Sequence, residues 1–531
     1  MQTLGAFLDR LTALHTDREA VAAAPHDRVT ARMHWVELRA ASRIAAKKLL
    51  RAGITKGARV GLLCANRSDW LPIAYGALRL GAILVPFSTL WKRDEIAYGL
   101  THADVDLLVT LSAFLKHDYL ACLNDIVPEL RSVSPGRLFS PAAPALRRVV
   151  LLDGDAAGTE RWTALRADVD DAVLDAIEAS VTPADAATIF FTSGTTTQAK
   201  AVLHSHGALV TSAVRLSRCL GITPDDVWWG HMALFWSGGF ILALATLAGG
   251  ARIVLQEVVD SASALTLLER EGCTIMAGWH QALPLLEHPD FSGQRLRLKK
   301  GTNHPLATRL LGPDHVAVGI YGMSETATGV TAARWDDPRE IRTGTFGRPL
   351  DGMEVTIVDP VSGQALAPGA TGEILVKGPT VMDGYYKVPR ADTFDAAGFF
   401  KTGDLGYFDS SGYLHFATRL KDVIKTAGVN VAAVEVEEAL ARHPAVKSAY
   451  VVGVADPARG ESIAAFVVLD NGELASADEL RDFCRHSLAS YKAPRHVFVI
   501  ADAEVPRTGS GKVEKLALRR EAVARLAMTN S

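Results

Sequence analysis

The sequence predicts an α/β fold (α+β overall). A large N-terminal domain of two helix-covered sheets carries a small β-rich subdomain and is followed by a small α+β C-terminal domain. Three observations predict this. Short apolar runs alternate with helical patterns up to about Gly344, the signature of parallel sheets covered by helices. Beyond Gly344, strand-like runs joined by Pro/Gly turns follow one another without helices. Past Leu420 the mixed pattern returns over about 110 residues, enough for a domain of its own.

Each element follows from local pattern. Leu4, Phe7, Leu8, Leu11 and Leu14 recur at helical spacing, so residues 1–15 read as an amphipathic helix whose Asp9 and Arg10 argue against a signal peptide. Arg59–Leu63, Ala82–Pro86, Leu107–Thr110 and Val149–Leu152 read as strands, and Trp70–Leu80 as a helix. Ser132–Pro144, with its prolines and serines, reads as a surface loop. In the β-rich stretch, Glu354–Val358, Gly372–Val376 and Gly412–Phe416 are strands. In the tail, Val434–Ala441 and Ala477–Leu488 are helices, and Ser448–Val454 and Ile463–Leu469 are strands.

Composition excludes several classes. Of 531 residues 48% are apolar, which argues against disorder. Lys plus Arg total 56 against 59 for Asp plus Glu, a net charge of −3 without the basic footprint of a nucleic-acid binder. The cysteines Cys64, Cys122, Cys219, Cys273 and Cys484 are scattered and form no C-x-x-C, so neither a disulfide framework nor a zinc site is expected. The longest apolar run, Phe240–Ala248, is too short to span a bilayer. A soluble cytoplasmic protein with no membrane span is expected.

The chemistry sits in polar clusters at the ends of strands, where open α/β sheets form ligand sites. The apolar run Ile189–Phe191 leads into Thr192, Ser193, Gly194, Thr195, Thr196, Thr197, Gln198, Ala199 and Lys200. Hydroxyls, backbone N–H groups and a lysine in a glycine-containing loop can cradle phosphates. Tyr321-Gly322-Met323-Ser324-Glu325-Thr326 follows the run Val316–Ile320. A hydroxyl beside a carboxylate can contact a phosphate together with its Mg²⁺. Thr402-Gly403-Asp404, Arg419-Leu420-Lys421-Asp422 and Pro506-Arg507-Thr508-Gly509-Ser510-Gly511-Lys512 come next. A Walker A loop is excluded at Gly511-Lys512, where Pro506 and Val513 occupy the places that motif gives to Gly and Ser/Thr.

In this order and spacing the five motifs closely resemble the adenylate-forming superfamily of acyl-CoA synthetases, nonribosomal peptide adenylation domains and luciferases. The resemblance spans nearly the whole chain and is strongest to acyl- or aryl-CoA ligases. It is reinforced by Leu80-Gly-Ala82, Val85-Pro86, Gly372–Pro379 and Asp383-Gly-Tyr385. It implies ATP-dependent activation of a hydrophobic carboxylic acid to acyl-AMP, followed by transfer to coenzyme A, with ATP, Mg²⁺ and CoA as the small molecules used. It assigns catalysis to Lys512 and Ser324, phosphate binding to Thr192, Ser193, Gly194, Thr195, Thr196 and Lys200, and the metal to Glu325. Adenine and ribose fall to Gly301, Thr302, Asn303, Tyr321, Gly322, Asp404 and Arg419. It further implies an N-terminal domain over 1–419 with its β-rich subdomain at about 344–419, a hinge at 420–422 pivoting on Lys421, and a mobile C-terminal domain over 423–531. Gly428 then serves the thioester step. The implied assembly is a monomer or homodimer.

The chain departs from the family pattern. Thr197, Ala199 and Ala201 replace Gly, Pro and Gly in the phosphate loop, and a β-branched residue at a glycine place resists positive φ. Thr418 precedes Arg419 where glycine is usual. In the acid pocket, implied to involve Trp236, Gly238, Gly239, Gly278 and Trp279, a tryptophan stands where many relatives have histidine. Trp228 and Trp229 belong either to this pocket or to the core. No Asp or Arg stands out as a partner for an α-amino group, which favours a hydrophobic acid over an amino acid. Two other readings are carried: an acyl-AMP ligase serving an acyl carrier protein or separate transferase, and a non-catalytic binding protein on this fold.

Overall fold

A computed structural model describes residues 2–529 except 193–198, 279–283, 287, 293–294, 304–310, 313, 427–428, 457–458, 471, 489–491 and 509–510. The chain forms two compact units, residues 1–355 with 376–400, and residues 356–375 with 401–531.

The first unit is built on two sheets. One runs in the order Val316–Val318, Lys300–Thr302, Ile275–Met276, Val227–Gly230, Arg252–Gln256, Glu19–Ala24 and Ala31–His34. Its pairings are parallel except at the last strand. The other runs Gly384–Tyr385, Lys200–Ser205, Ala186–Thr192, Ile83–Pro86, Arg59–Leu63, Leu107–Thr110, Arg148–Leu151 and Glu160–Arg161. It is parallel from Ala186–Thr192 onward and antiparallel before that. The fully buried strands Ile83–Pro86 and Leu107–Thr110 read as unbroken apolar runs because helices cover both faces. Helix Trp70–Arg79 is buried on every side. Its Arg79 side chain, 0% exposed, is neutralised by Asp9 and Glu178, as a buried charge requires.

The first helix covers Leu4–His15, capped by the Thr3 side chain accepting from Ala6 N–H. Leu4, Phe7, Leu8 and Leu11 are buried, whereas Leu14, expected on the same stripe, is 64% exposed. It lies at the edge of the stripe in the last turn, where the helix leaves the core.

The tryptophan pair is also resolved. Trp228 and Trp229 are both fully buried in strand Val227–Gly230 and enter different clusters of the core. Successive residues of a strand face opposite sides of the sheet, so both are core residues.

The second unit contains most of a four-stranded sheet, Glu354–Val358, Gly372–Lys377, Phe400–Phe408 and Leu414–Arg419. It also contains a sheet dominated by the long hairpin Val446–Asp456 and Gly460–Leu469, covered by helices Ala433–Ala441, Ala477–Ser487 and Lys515–Thr529. Among the described residues no helix is long and apolar enough to cross a membrane.

Candidate active site

In the first unit, Thr192 and Lys200 are paired at the end of the strands Ala186–Thr192 and Lys200–Ser205 that adjoins the connecting residues 193–199. Ser193, Gly194, Thr195 and Thr196 lie outside the described residues. The Tyr98 hydroxyl donates to the Ala199 carbonyl at 3.0 Å and so ties down the position where the family pattern has proline. Ala201, at a family glycine, is 1% exposed and its methyl fills the core beneath.

The strand Gly384–Tyr385 pairs with Lys200–Ser205 and brings Tyr385 beside Val202. Lys200 Nζ then lies 4.6 Å from the centre of the Tyr385 ring, within cation–π range. The Tyr385 hydroxyl donates to Glu325 Oε1 at 2.9 Å. Burial, followed by the Glu325 charge, pushes the phenol up, so it remains a donor. Met382 N–H donates to the Glu325 carbonyl at 2.8 Å. These contacts place a cation, a phenol and a carboxylate in one row. Tyr385 belonged to a family motif, but a strand pairing is what gives it this place.

Ser324, the neighbour of Glu325, is held from two more directions. Its hydroxyl lies 2.7 Å from that of Ser237, the first residue of helix Ser237–Ala248. His204 Nε2 donates to its carbonyl at 2.7 Å. Burial pushes His204 down to about 4, so the ring is neutral at physiological pH. The segment then turns sharply, with Ala327 and Thr328 at φ +46 and +67. Left-handed backbone is costly for a β-branched residue such as Thr328. A Cβ on Gly322 would collide with the Thr328 carbonyl, so only glycine fits there. Sequence reading missed Ser237 and His204 because neither lies in a motif that names Ser324 as its partner.

On the other side, Gly301 and Thr302 lie in strand Lys300–Thr302, with Asn303 just beyond. Asn303 N–H donates to the Val318 carbonyl and its Nδ2 to the Thr343 carbonyl at 2.8 Å. Tyr321 is 5% exposed and packs edge-on against Phe346 at 6.4 Å.

The acid-side residues gather around helix Ser237–Ala248. Trp236 is its N-cap residue and meets Phe235 edge-on at 5.1 Å. Gly238 and Gly239 form its first turn, and Gly278 follows strand Ile275–Met276 with φ +80. Trp279 lies outside the described residues. Asn66, 5% exposed, clamps the loop that precedes the helix. Its Nδ2 donates to the carbonyls of Gly230 at 3.0 Å and Met232 at 2.9 Å, and its Oδ1 accepts from Leu234 N–H at 3.0 Å. A lone Asn more than 160 residues away from this loop in sequence carried no signal of that role.

In the second unit, Asp404 and Arg419 are cross-strand partners, with Arg419 Nε 3.4 Å from Asp404 Oδ1. Asp404 is 5% exposed, and Gly403 N–H donates to Glu373 Oε1 at 3.2 Å. Lys421 lies in the 3₁₀ turn Leu420–Asp422, and Gly428 lies outside the described residues. Lys512 is exposed, Thr508 N–H donates to its carbonyl at 2.7 Å, and Arg507 pairs with Val513.

The Mg²⁺ expectation fits this donor set. Among the described residues no group of three or more His, Cys, Asp or Glu could hold a metal by itself. A carboxylate oriented by Tyr385 next to a hydroxyl suits a cation that takes one or two carboxylates plus substrate phosphates.

The chain is similar to known proteins. Residues 8–386 match the AMP-binding enzyme family and residues 435–512 match the AMP-binding enzyme C-terminal domain. The acyl-CoA ligase SID4 of Ajellomyces capsulatus is 30% identical, covering 97% of this chain and 90% of its own. The methyl-dioxo-octahydroindenyl-propanoyl:CoA ligase of Rhodococcus jostii is 33% identical, covering 92% of this chain and 94% of its own. Among solved structures, ATP-bound MatB from Rhodopseudomonas palustris is 26% identical with a TM-score of 0.80, over 97% of this chain and 98% of that one. With more than half of its length matched by one family pattern and near-complete coverage by a relative 33% identical, this chain belongs to the AMP-binding enzyme family.

Proposed function

We propose that the chain is an AMP-forming acid–thiol ligase that activates a hydrophobic carboxylic acid with ATP and passes the acyl group to coenzyme A. The row Lys200, Tyr385, Glu325, with Ser324 at its end, is the observation that carries this reading. In the first step a carboxylate oxygen bonds to the α-phosphorus and pyrophosphate leaves. Charge grows on the phosphoryl oxygens, and donors fixed in advance lower that barrier. Lys200 and the Ser324 hydroxyl supply such donors, and Ser237 and His204 keep Ser324 from moving. Glu325 would hold Mg²⁺ together with the phosphates, and the ion would neutralise their charge. In the second step the CoA thiolate bonds to the acyl carbon and AMP leaves.

Asp404, supported by Arg419, takes the ribose hydroxyls, and Gly301, Thr302, Asn303 and Tyr321 bound the adenine. Lys512 bridges the carboxylate and α-phosphate, and the turn at 420–422 is the hinge that exchanges it for the Gly428 face. The names of SID4 and the Rhodococcus jostii relative, both CoA ligases, support CoA as acceptor. Incubation with ATP, Mg²⁺, CoA and a panel of fatty, aromatic and polycyclic acids should release AMP and pyrophosphate and form a thioester. Absence of AMP with every acid sinks the proposal. Acyl-AMP that persists when CoA is added would instead favour an acyl carrier protein or a separate transferase as acceptor.

A further inference from the structure

Gly238 and Gly278, both on the acid side, face one and the same neighbouring side chain. That side chain is Met232. A Cβ on Gly278 would collide with Met232 Sδ and lie 2.6 Å from its Cγ, and a Cβ on Gly238 would lie 3.4 Å from its Cε. The two glycines sit on different segments, one in the first turn of helix Ser237–Ala248 and the other after strand Ile275–Met276. The thioether arm therefore spans the gap between them, and it is only half-buried.

The backbone beneath this arm is immobilised. Asn66 binds the carbonyls of Gly230 and Met232 and the N–H of Leu234. His231 stacks on Trp229 at 4.0 Å and sets its ring nitrogens 3.0 Å from the Trp229 carbonyl and 3.3 Å from that of Gly278. Pushed down to about 4 by burial, the neutral ring donates to one of these at a time. A flexible, unbranched side chain on a rigid base, lying between two glycines, is suited to adapting to an apolar guest. We propose that Met232 is the specificity-determining residue of the acid site, its Sδ and Cε setting the bulk of acyl group admitted. This rests on the acid-activating reading above.

The test compares wild type, Met232→Ala, Met232→Leu and Gly238→Ala across acids of rising bulk. AMP release gives kcat/KM for each acid, and KM for ATP serves as the internal control. In Met232→Ala the ratio of kcat/KM for bulky over slender acids should rise about tenfold or more, the scale of a single methylene in an apolar pocket. Met232→Leu should stay within about twofold of wild type. Gly238→Ala, which crowds the arm, should shift the ratio toward slender acids. A uniform change over all acids, or no change in the ratio, overturns the role of Met232. Acid binding without ATP, followed by tryptophan fluorescence, reads the same preference without turnover. If wild type releases no AMP with any acid, the proposed function falls. Unchanged relative binding of bulky and slender acids in Met232→Ala then overturns the specificity role separately.

Discussion

The Tyr385 hydroxyl donates to Glu325 Oε1 at 2.9 Å while Lys200 Nζ lies 4.6 Å from the centre of the same ring. One phenol thus orients the carboxylate proposed to hold Mg²⁺ and provides a face for the lysine proposed to meet the phosphates. Tyr385→Phe keeps the ring and removes the donor. Loss of such an orienting partner lowers metal affinity or activity about 10–100-fold. Pyrophosphate release titrated with Mg²⁺ should therefore show a higher Mg²⁺ requirement, with KM for the acid unchanged. An unaltered Mg²⁺ titration would exclude this role.

Lys512→Ala should slow adenylation by about 10²–10³-fold, the effect of removing one donor aimed at the transition state. Thioester formation from supplied acyl-AMP and CoA should be nearly intact. Equal loss in both half-reactions would show that Lys512 serves the fold or both steps alike.

Asn66→Ala leaves the Gly230 and Met232 carbonyls and the Leu234 N–H without their partner. A buried polar group left unsatisfied costs about 1–3 kcal/mol, so the thermal midpoint should fall by several degrees. The loosened loop should raise KM for the acid several-fold and leave KM for ATP as it was. A rise in both constants together would place the damage outside the acid site.

Acid should destabilise the protein in a defined window. His204, His206, His231 and His315 are pushed down to about 4, in each case chiefly by burial. In the unfolded chain a histidine titrates near 6.5. As pH falls through about 6.5 toward 4, the unfolded chain takes up protons that the folded chain refuses, and unfolding gains. These groups contribute full stability above about pH 6.5 and lose it on the way down to about 4. Calorimetry should show a thermal midpoint that falls steadily over that range. A midpoint that holds or rises between pH 6.5 and 4 contradicts the burial of these rings.

Gly322→Ala sets a methyl against the Thr328 carbonyl, in backbone that cannot shift without disturbing the left-handed pair Ala327 and Thr328. It should lower AMP formation more than it lowers stability, because the displaced segment carries Ser324 and Glu325. Equal activity at equal folded fraction would show that the turn tolerates the methyl.

Much of this protein was determined by the sequence alone. Apolar runs such as Leu107–Thr110 and the stripe Leu4, Phe7, Leu8, Leu11 declare their elements because backbone periodicity is local. The five ordered motifs point to a nucleotide chemistry because their order and spacing resemble those of the adenylate-forming family. Leu14 and the pair Trp228 and Trp229 show where this stops: side-chain chemistry is the same in a core, at a stripe's edge or in a pocket, and only packing distinguishes them. The tertiary structure alone decided that Tyr385 serves Glu325, that His204 and Ser237 converge on Ser324, and that Asn66 holds the loop bearing Met232. These pairs lie 60 to 168 residues apart. The order of strands in the sheets brings them together, and no local pattern encodes that order.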